Sequence, residues 1–133
     1  MFIINQSLNG DGSIIIVVAT DAPLLSHQLK RVARRATLGL GRVGSIARNG
    51  SGDIFIAFST ANKISSSKKV SQNLSMLQND HINPVFQATV EATEESIINA
   101  LIAGKDMTGH MGRSVKAIEH LALIEILKKH NRL

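Results

Sequence analysis

The chain has 133 residues and a formal net charge of +5, with 15 Lys and Arg against 10 Asp and Glu. It contains no cysteine, which excludes disulfides, thiolate zinc sites and a cysteine nucleophile. Hydrophobic residues make up 44% of the sequence and aromatic residues only 3%, so a single domain of ordinary size must build its core from aliphatic side chains.

The first twelve residues are interpreted as a tail, because turn-forming residues fill Asn9–Gly12. Met1–Leu8 is also compatible with a short edge strand. The start of the chain lacks the positively charged leader of a signal peptide, and no apolar run reaches the roughly 18 residues that a membrane span needs. We therefore expect a cytoplasmic protein without membrane contact, with its domain at residues 13–133.

A strand is predicted directly after Gly12 and Ser13. Ile14–Val18 is a run of five β-branched apolar residues without alternation, which is typical of a strand covered on both faces. A serine at the head of a strand, preceded by glycine, is also where a self-cleaving hydrolase would carry its nucleophile. These two residues alone are more typical of a loop glycine followed by an ordinary strand-edge serine.

A helix is predicted to follow, capped by Asp21 with Pro23 in its first turn. Apolar residues recur at helical spacing from Leu25 to Leu40, and glycines at 39, 41 and 44 are expected to end the helix. Its opposite side is basic, with Lys30, Arg31, Arg34 and Arg35. Such a cluster can contact nucleic acid, but it is more typical of a solvated helix face, so nucleic acid is not the expected partner.

A second loop-strand unit comes next. Two glycines flank Ser51, a carboxylate follows at Asp53, and the apolar stretch Ile54–Thr60 predicts a strand. The loop would place Ser51 and Asp53 at a strand end, as Gly12 places Ser13. The alternative is an ordinary turn, since Asn-Gly and Ser-Gly pairs are common in hairpins.

The remaining elements are predicted from caps and periodicity. Residues 61–83 are polar and irregular, and His81 within them is either a general base or, more simply, a surface histidine. Asn83 and Pro84 start a helix that is predicted to run to about Ala103. A glycine-rich turn at 108–112, a strand at Val115–Ile118 and a helix at Glu119–His130 complete the chain.

Three long blocks of this sequence, in order, resemble the L-aminopeptidase/D-esterase (DmpA-like) family, which also includes the β-peptidyl aminopeptidases. The first block is Gly12–Leu24 and the second is Asn49–Asn62. The third is Asn83–Phe86 leading into Ala92–Ile97. The resemblance covers nearly all of the chain from Gly12 onward.

The resemblance implies an α/β fold that is half of a layered αββα sandwich, similar to N-terminal-nucleophile hydrolases. It implies a precursor that cleaves itself between Gly12 and Ser13, with Ser13 as nucleophile and Ser51 and Asp53 as its supporting pair. It implies an aminopeptidase that releases N-terminal residues from small peptides, amides or esters without metal or organic cofactor. Family members tend to form tetramers of αβ units, so the resemblance implies an α subunit as partner and a homo-oligomer of such units.

The chain departs from the family in length. Only twelve residues precede Ser13, whereas the family has a large α subunit there, with an oxyanion-stabilising Asn and an active-site Tyr. This chain contains no Tyr. We therefore expect the fold to be incomplete without an α subunit or upstream half. The alternative is a truncated, inactive remnant that acts only as an assembly or binding module.

Overall fold

The computed structural model describes residues 12–64, 66 and 70–133. The chain divides into two compact units, one ending at Glu94 and one covering Glu95–Leu133. The possible edge strand at Met1–Leu8 and most of the predicted tail lie outside the described residues.

A β-α-β arrangement forms the first unit. Strand β1 is Ile15–Thr20, helix α1 is Ser26–Arg42 and strand β2 is Ile54–Ser59. The two strands pair in parallel, with Ile15 opposite Ile54 and Thr20 opposite Ser59. Both predicted strands are therefore confirmed to within two residues at either end. Helix α2, Asn83–Ala103, begins in this unit and matches its predicted bounds.

The core of the first unit lies on one face of the two strands. Leu24, Val32, Ile82 and Phe86 form a buried cluster, and Val18 of β1 and Ala57 of β2 pack against it. The aliphatic composition of the sequence thus produces a mainly aliphatic core, in which Phe86 is the one aromatic residue of the buried cluster.

The other face of the two strands is exposed, contrary to the prediction of a strand covered on both faces. Ile15 and Val17 are 67% and 58% exposed, and Ile54, Ile56 and Phe58 are between 45% and 51% exposed. Parallel strands are normally covered on both sides, so the unbroken apolar run fits two covers. Within the first unit, the described helices cover only one face of the two strands.

The start of α1 also differs from the prediction. The helix begins at Ser26 with Leu25 as its N-cap, whereas Asp21 was expected to be the cap. The Oε1 of Gln28 reaches back and accepts the N–H of Leu25 at 3.2 Å. Pro23 lies before the helix, where its carbonyl accepts the N–H of Leu77 at 2.7 Å. Gln28 is fully buried and donates to the carbonyl of Leu77, so it ties the later loop to the helix start.

The end of α1 is set by Gly44, as predicted. Gly44 has a φ of +99°, and its N–H and that of Ser45 return to the carbonyls of Gly41 and Leu40. This is the pattern of a helix that ends on a left-handed glycine. Gly39 and Gly41, which were expected to weaken the end, lie inside the helix.

The basic side of α1 is less solvated than predicted. The guanidinium groups of Arg31 and Arg35 lie 5.1 and 3.9 Å from the ring centroid of Phe86. Arg31 also donates to Asn79 Oδ1 at 3.0 Å. Because these two cations pack against the core residue Phe86, only part of the basic cluster is available to an acidic partner.

The second unit contains strands β3 (Met107–Thr108) and β4 (Ser114–Val115), which pair antiparallel, and helix α3 (His120–Lys129). The predicted glycine-rich turn is confirmed between the strands. The predicted strand Val115–Ile118 is only partly formed, because the carboxylate of Asp106 takes the N–H of Ala117 at 2.9 Å. Two contacts lower the pKa of the Asp106 carboxyl: chiefly the Lys116 ammonium, and to a smaller extent the N–H of Ala117. No residue of Glu95–Leu133, which the structure describes throughout, is buried.

Candidate active site

The residues that were predicted to form a site meet at one end of the parallel pair. Ser13 is exposed and lies two residues before β1, and the Ser51–Asp53 loop directly precedes β2. Because the strands are parallel and Ile15 lies opposite Ile54, residues 12–14 and 51–53 run side by side before the ladder begins. The two segments are 39 residues apart in the sequence, and α1 forms the connection between them.

Each residue of one segment is held by one residue of the other. The N–H of Gly52 donates to Ser13 Oγ at 3.0 Å. The N–H of Ile14 donates to Asp53 Oδ1 at 3.1 Å. Ser51 Oγ lies 3.0 Å from the carbonyl oxygen of Gly12. The three contacts place the Ser13 hydroxyl and the Gly12–Ser13 peptide bond directly against the loop.

The hydroxyl of Ser51 has two acceptors and one proton. Besides Gly12 O, it lies 2.6 Å from Asp53 Oδ1, a length typical of a hydroxyl donating to a carboxylate. It can donate to only one of the two at a time. Ser51 therefore connects the carboxylate of Asp53 with the carbonyl that precedes Ser13, which is an arrangement able to move a proton or to stabilise charge on that oxygen.

Sequence reasoning found the side chains of this site and missed its backbone donors. The amides of Ile14 and Gly52 each make a hydrogen bond within it. No local sequence signal identified them, because they follow from the register: with Ile15 opposite Ile54, Ser13 lies beside Gly52 and Ile14 beside Asp53. His81, the other candidate base, is an exposed residue of the short 3₁₀ turn Asn79–His81 and does not line the site.

A cleft of about 360 Å³ opens beside Ser13. It lies between the site and the end of α1. Its described lining includes Ile14, Leu40, Ile46, Arg48, Ser51 and Asp53. In the part of the chain that the structure describes, no group of three or more His, Cys, Asp or Glu side chains is arranged to hold a metal ion. Among the described helices, none is long and apolar enough to cross a bilayer.

Asp53 should stabilise the first unit through its two hydrogen bonds. Asp53→Ala leaves the Ile14 amide and the Ser51 hydroxyl without this acceptor, so we expect a loss of about 1–3 kcal/mol in the free energy of unfolding. Asp53→Asn keeps an acceptor oxygen and should lose less. Urea unfolding measures the difference, with the exposed Asp21→Ala as matched control at within about 0.5 kcal/mol of the parent. Equal stabilities of Asp53→Ala and Asp21→Ala would contradict the assignment.

Comparison with known proteins gives close relatives along nearly the whole chain. It is 50% identical over 127 residues to the β-peptidyl aminopeptidase BapA of Sphingosinicella microcystinivorans, covering 93% of this chain and 32% of the relative. The chain thus spans about a third of the length of that relative.

Two solved structures share the fold. One is the L-aminopeptidase D-Ala-esterase/amidase of Ochrobactrum anthropi, described as a variant of the Ntn hydrolase fold. It matches with a TM-score of 0.82 and 45% identity, over 91% of this chain and 34% of that one. The other, a β-aminopeptidase of Burkholderia sp., matches with a TM-score of 0.77 and 39% identity, over 95% of this chain and 37% of that one. The predicted α/β fold related to N-terminal-nucleophile hydrolases is confirmed.

Residues 2–115 also match the sequence profile of peptidase family S58. This range includes all three blocks that carried the resemblance and all the residues of the candidate site. The relatives by sequence and by structure are aminopeptidases or amidohydrolases of the same kind. The chain belongs to peptidase family S58.

Proposed function

We propose that this chain is the catalytic β-subunit portion of a self-processing serine aminopeptidase, with Ser13 as its nucleophile. The observation that carries the proposal is the position of the Ser13 hydroxyl. It is exposed at the head of β1 and is held there by the Gly52 amide, beside a hydrogen-bonded Ser51–Asp53 pair. A nucleophile, a proton acceptor and a donor near the adjacent carbonyl are the parts that acyl transfer requires.

Processing would begin with attack of Ser13 Oγ on the carbonyl carbon of Gly12. The hydroxyl proton moves to the departing amide nitrogen, the C–N bond breaks, and an ester links Gly12 to Ser13 Oγ. Water then hydrolyses the ester, which leaves a carboxylate on Gly12 and restores the Ser13 hydroxyl beside a new α-amine. Ser51, 3.0 Å from the Gly12 carbonyl oxygen, is placed to stabilise the negative charge that develops there.

Turnover would repeat the same acyl transfer on a substrate. The α-amine of Ser13, whose ordinary pKa is about 7.7–8.0, takes the hydroxyl proton as Oγ attacks. The relatives' names indicate β-peptidyl aminopeptidase and L-aminopeptidase D-Ala-esterase/amidase activities. We infer that this chain likewise acts on small peptides, amides or esters with a free N-terminal amine. Asp53, a carboxylate at the site, is proposed to attract that ammonium group.

Completion of the site is proposed to require an α subunit or an upstream half. The chain spans about a third of its relatives, and the uncovered face of β1 and β2 is apolar. A second sheet packed on this face would bury Ile15, Val17, Ile54, Ile56 and Phe58, as parallel strands normally require. We expect the chain alone to hydrolyse little and to associate with itself.

An assembly or binding module without activity is the second candidate. It is favoured by the exposed apolar residues of the second unit, among them Leu101, Met111 and Leu121, which can bury surface only against another chain or segment. Under this alternative, Ser13 and Ser51 retain the arrangement of an active ancestor but have no catalytic role.

A fusion experiment tests the proposal. The upstream portion of the S. microcystinivorans relative is joined to residue 12 of this chain, and the product is examined by intact mass and by hydrolysis of an aminoacyl nitroanilide. We expect cleavage between Gly12 and Ser13 and release of nitroaniline. An uncleaved, folded and oligomeric fusion that hydrolyses no aminoacyl substrate would instead support the assembly module.

A further inference from the structure

We propose that the cleft beside Ser13 binds a short peptide with both termini free, and that Arg48 holds its terminal carboxylate. The inference rests on the proposed function, because it places a substrate against Ser13. It adds that the C-terminal part of the substrate, which is released on cleavage, carries a negative charge at its C-terminus. Arg48 thereby becomes a specificity residue of the site.

The charges along the cleft carry the argument. Among the described residues that line it, Arg48 and Asp53 are the two that are charged, and they have opposite signs. A free peptide has an ammonium at one end and a carboxylate at the other, so it matches a cleft with one anion and one cation. A peptide amide or ester would leave the cation of the cleft without a counter-charge.

Arg48 is positioned and available for this contact. Its carbonyl oxygen accepts the N–H of Ser51 at 2.9 Å, which ties the backbone of Arg48 to the loop of the site. Its side chain is exposed, and the ion pairs found among the described residues do not involve it. A guanidinium has a rigid fork of donors that matches the two oxygens of a carboxylate.

Asp53 can accept further hydrogen bonds from the ammonium group at the N-terminus of the peptide. Its Oδ1 accepts from Ile14 and Ser51, whereas an ionised carboxylate offers about four lone-pair positions. An ammonium at Asp53 and a carboxylate at Arg48 would set the scissile carbonyl between them, on the side of Ser13. The peptide therefore spans the cleft from one charge to the other.

Size and polarity limit the peptide further. The cleft volume of about 360 Å³ suits two or three residues, and Leu40 and Ile46 add an aliphatic wall. Small aliphatic side chains fit this wall. Longer peptides would carry their carboxylate beyond Arg48, so the preference is expected for dipeptides above all.

A binding experiment tests the inference without requiring catalysis. It uses the full chain joined to the upstream portion of the S. microcystinivorans relative and carrying Ser13→Ala, so that both halves of the site are present and the peptides are not hydrolysed. Amide NMR titrations compare L-alanyl-L-alanine with L-alanyl-L-alaninamide. We expect the free acid to bind about three- to tenfold more tightly, as one charge-assisted contact at an exposed site provides. Arg48→Gln should remove the difference, and Arg48→Lys should keep part of it. Arg34→Gln removes the same charge from exposed α1 outside the cleft and should leave the preference unchanged.

The inference is overturned by equal affinities for the two peptides, by a preference that survives in Arg48→Gln, or by no binding of either peptide at millimolar concentration. Its failure is separate from failure of the proposed function. A fusion that cleaves at Gly12–Ser13 while the chain binds both peptides equally rejects the Arg48 contact alone. A charge preference in a chain whose fusion is neither cleaved nor active rejects only the catalytic proposal.

Discussion

Ser13→Ala in the fusion is expected to abolish both self-cleavage at Gly12–Ser13 and hydrolysis of the aminoacyl substrate. The peptide bond stays intact because the attacking hydroxyl is gone, and the hydroxyl of Ser51 is turned toward Gly12 O and Asp53 rather than toward a substrate. Loss of a serine nucleophile lowers hydrolysis by on the order of 10⁴-fold or more. Intact mass reports the first effect and nitroanilide release reports the second.

Ser13→Thr is the matched control, since it keeps a hydroxyl at the same position. We expect it to be cleaved, more slowly than the parent because the added methyl group restricts the side-chain rotamer. Thermal unfolding should be nearly the same for both variants, as Ser13 is exposed. Cleavage at Gly12–Ser13 in the alanine variant would assign the nucleophile to another residue.

Gly39→Ala is expected to destabilise the first unit by about 1–3 kcal/mol, because α1 and α2 touch at this glycine. A Cβ added there would lie 2.5 Å from the carbonyl oxygen of Val90 and 2.7 Å from the Cβ of Thr93. Both are rigid parts of α2, so the helices must move apart. That movement would loosen the packing of Val32 and Phe86 beneath the strands.

Gly41→Ala separates this steric effect from helix propensity. Gly41 lies in the same helix, and a Cβ there would meet no described heavy atom within 4 Å. Alanine should therefore stabilise the helix by about 0.5–1 kcal/mol at this position. Urea unfolding of the two variants at unchanged slope measures the contrast. A Gly39→Ala protein as stable as Gly41→Ala would show that the helices can separate without cost.

Local signals predicted most of the elements. The Asn83-Pro84 start and Gly104 bound α2 as expected, and the apolar runs after Ser13 and Asp53 became the two strands. Prediction was least accurate where a distant residue decides. The cap of α1 moved from Asp21 to Leu25 because Gln28 is drawn into the interior by the carbonyl of Leu77, 49 residues away. No local pattern contains that contact.

The side chains of the candidate site could be predicted, and its geometry could not. Ser13, Ser51 and Asp53 were identified by their place before apolar strands and by family resemblance. That the Gly52 amide faces Ser13 depends on strand register, which the sequence alone did not reveal. The prediction that the strands are covered on both faces was wrong for a different reason. Burial depends on what packs against a face, and the composition of a strand does not state whether its own chain supplies it.

The separation of 39 residues between the two halves of the site has a kinetic consequence. A newly synthesised chain holds Ser13 long before Asp53 exists, and the contacts between them must wait for the crossover helix to dock and the ladder to close. Parallel pairing across such a distance is a late event in folding. Under the proposed self-cleavage, the Gly12–Ser13 bond can therefore be attacked with the help of Ser51 and Asp53 only after this part of the fold has formed.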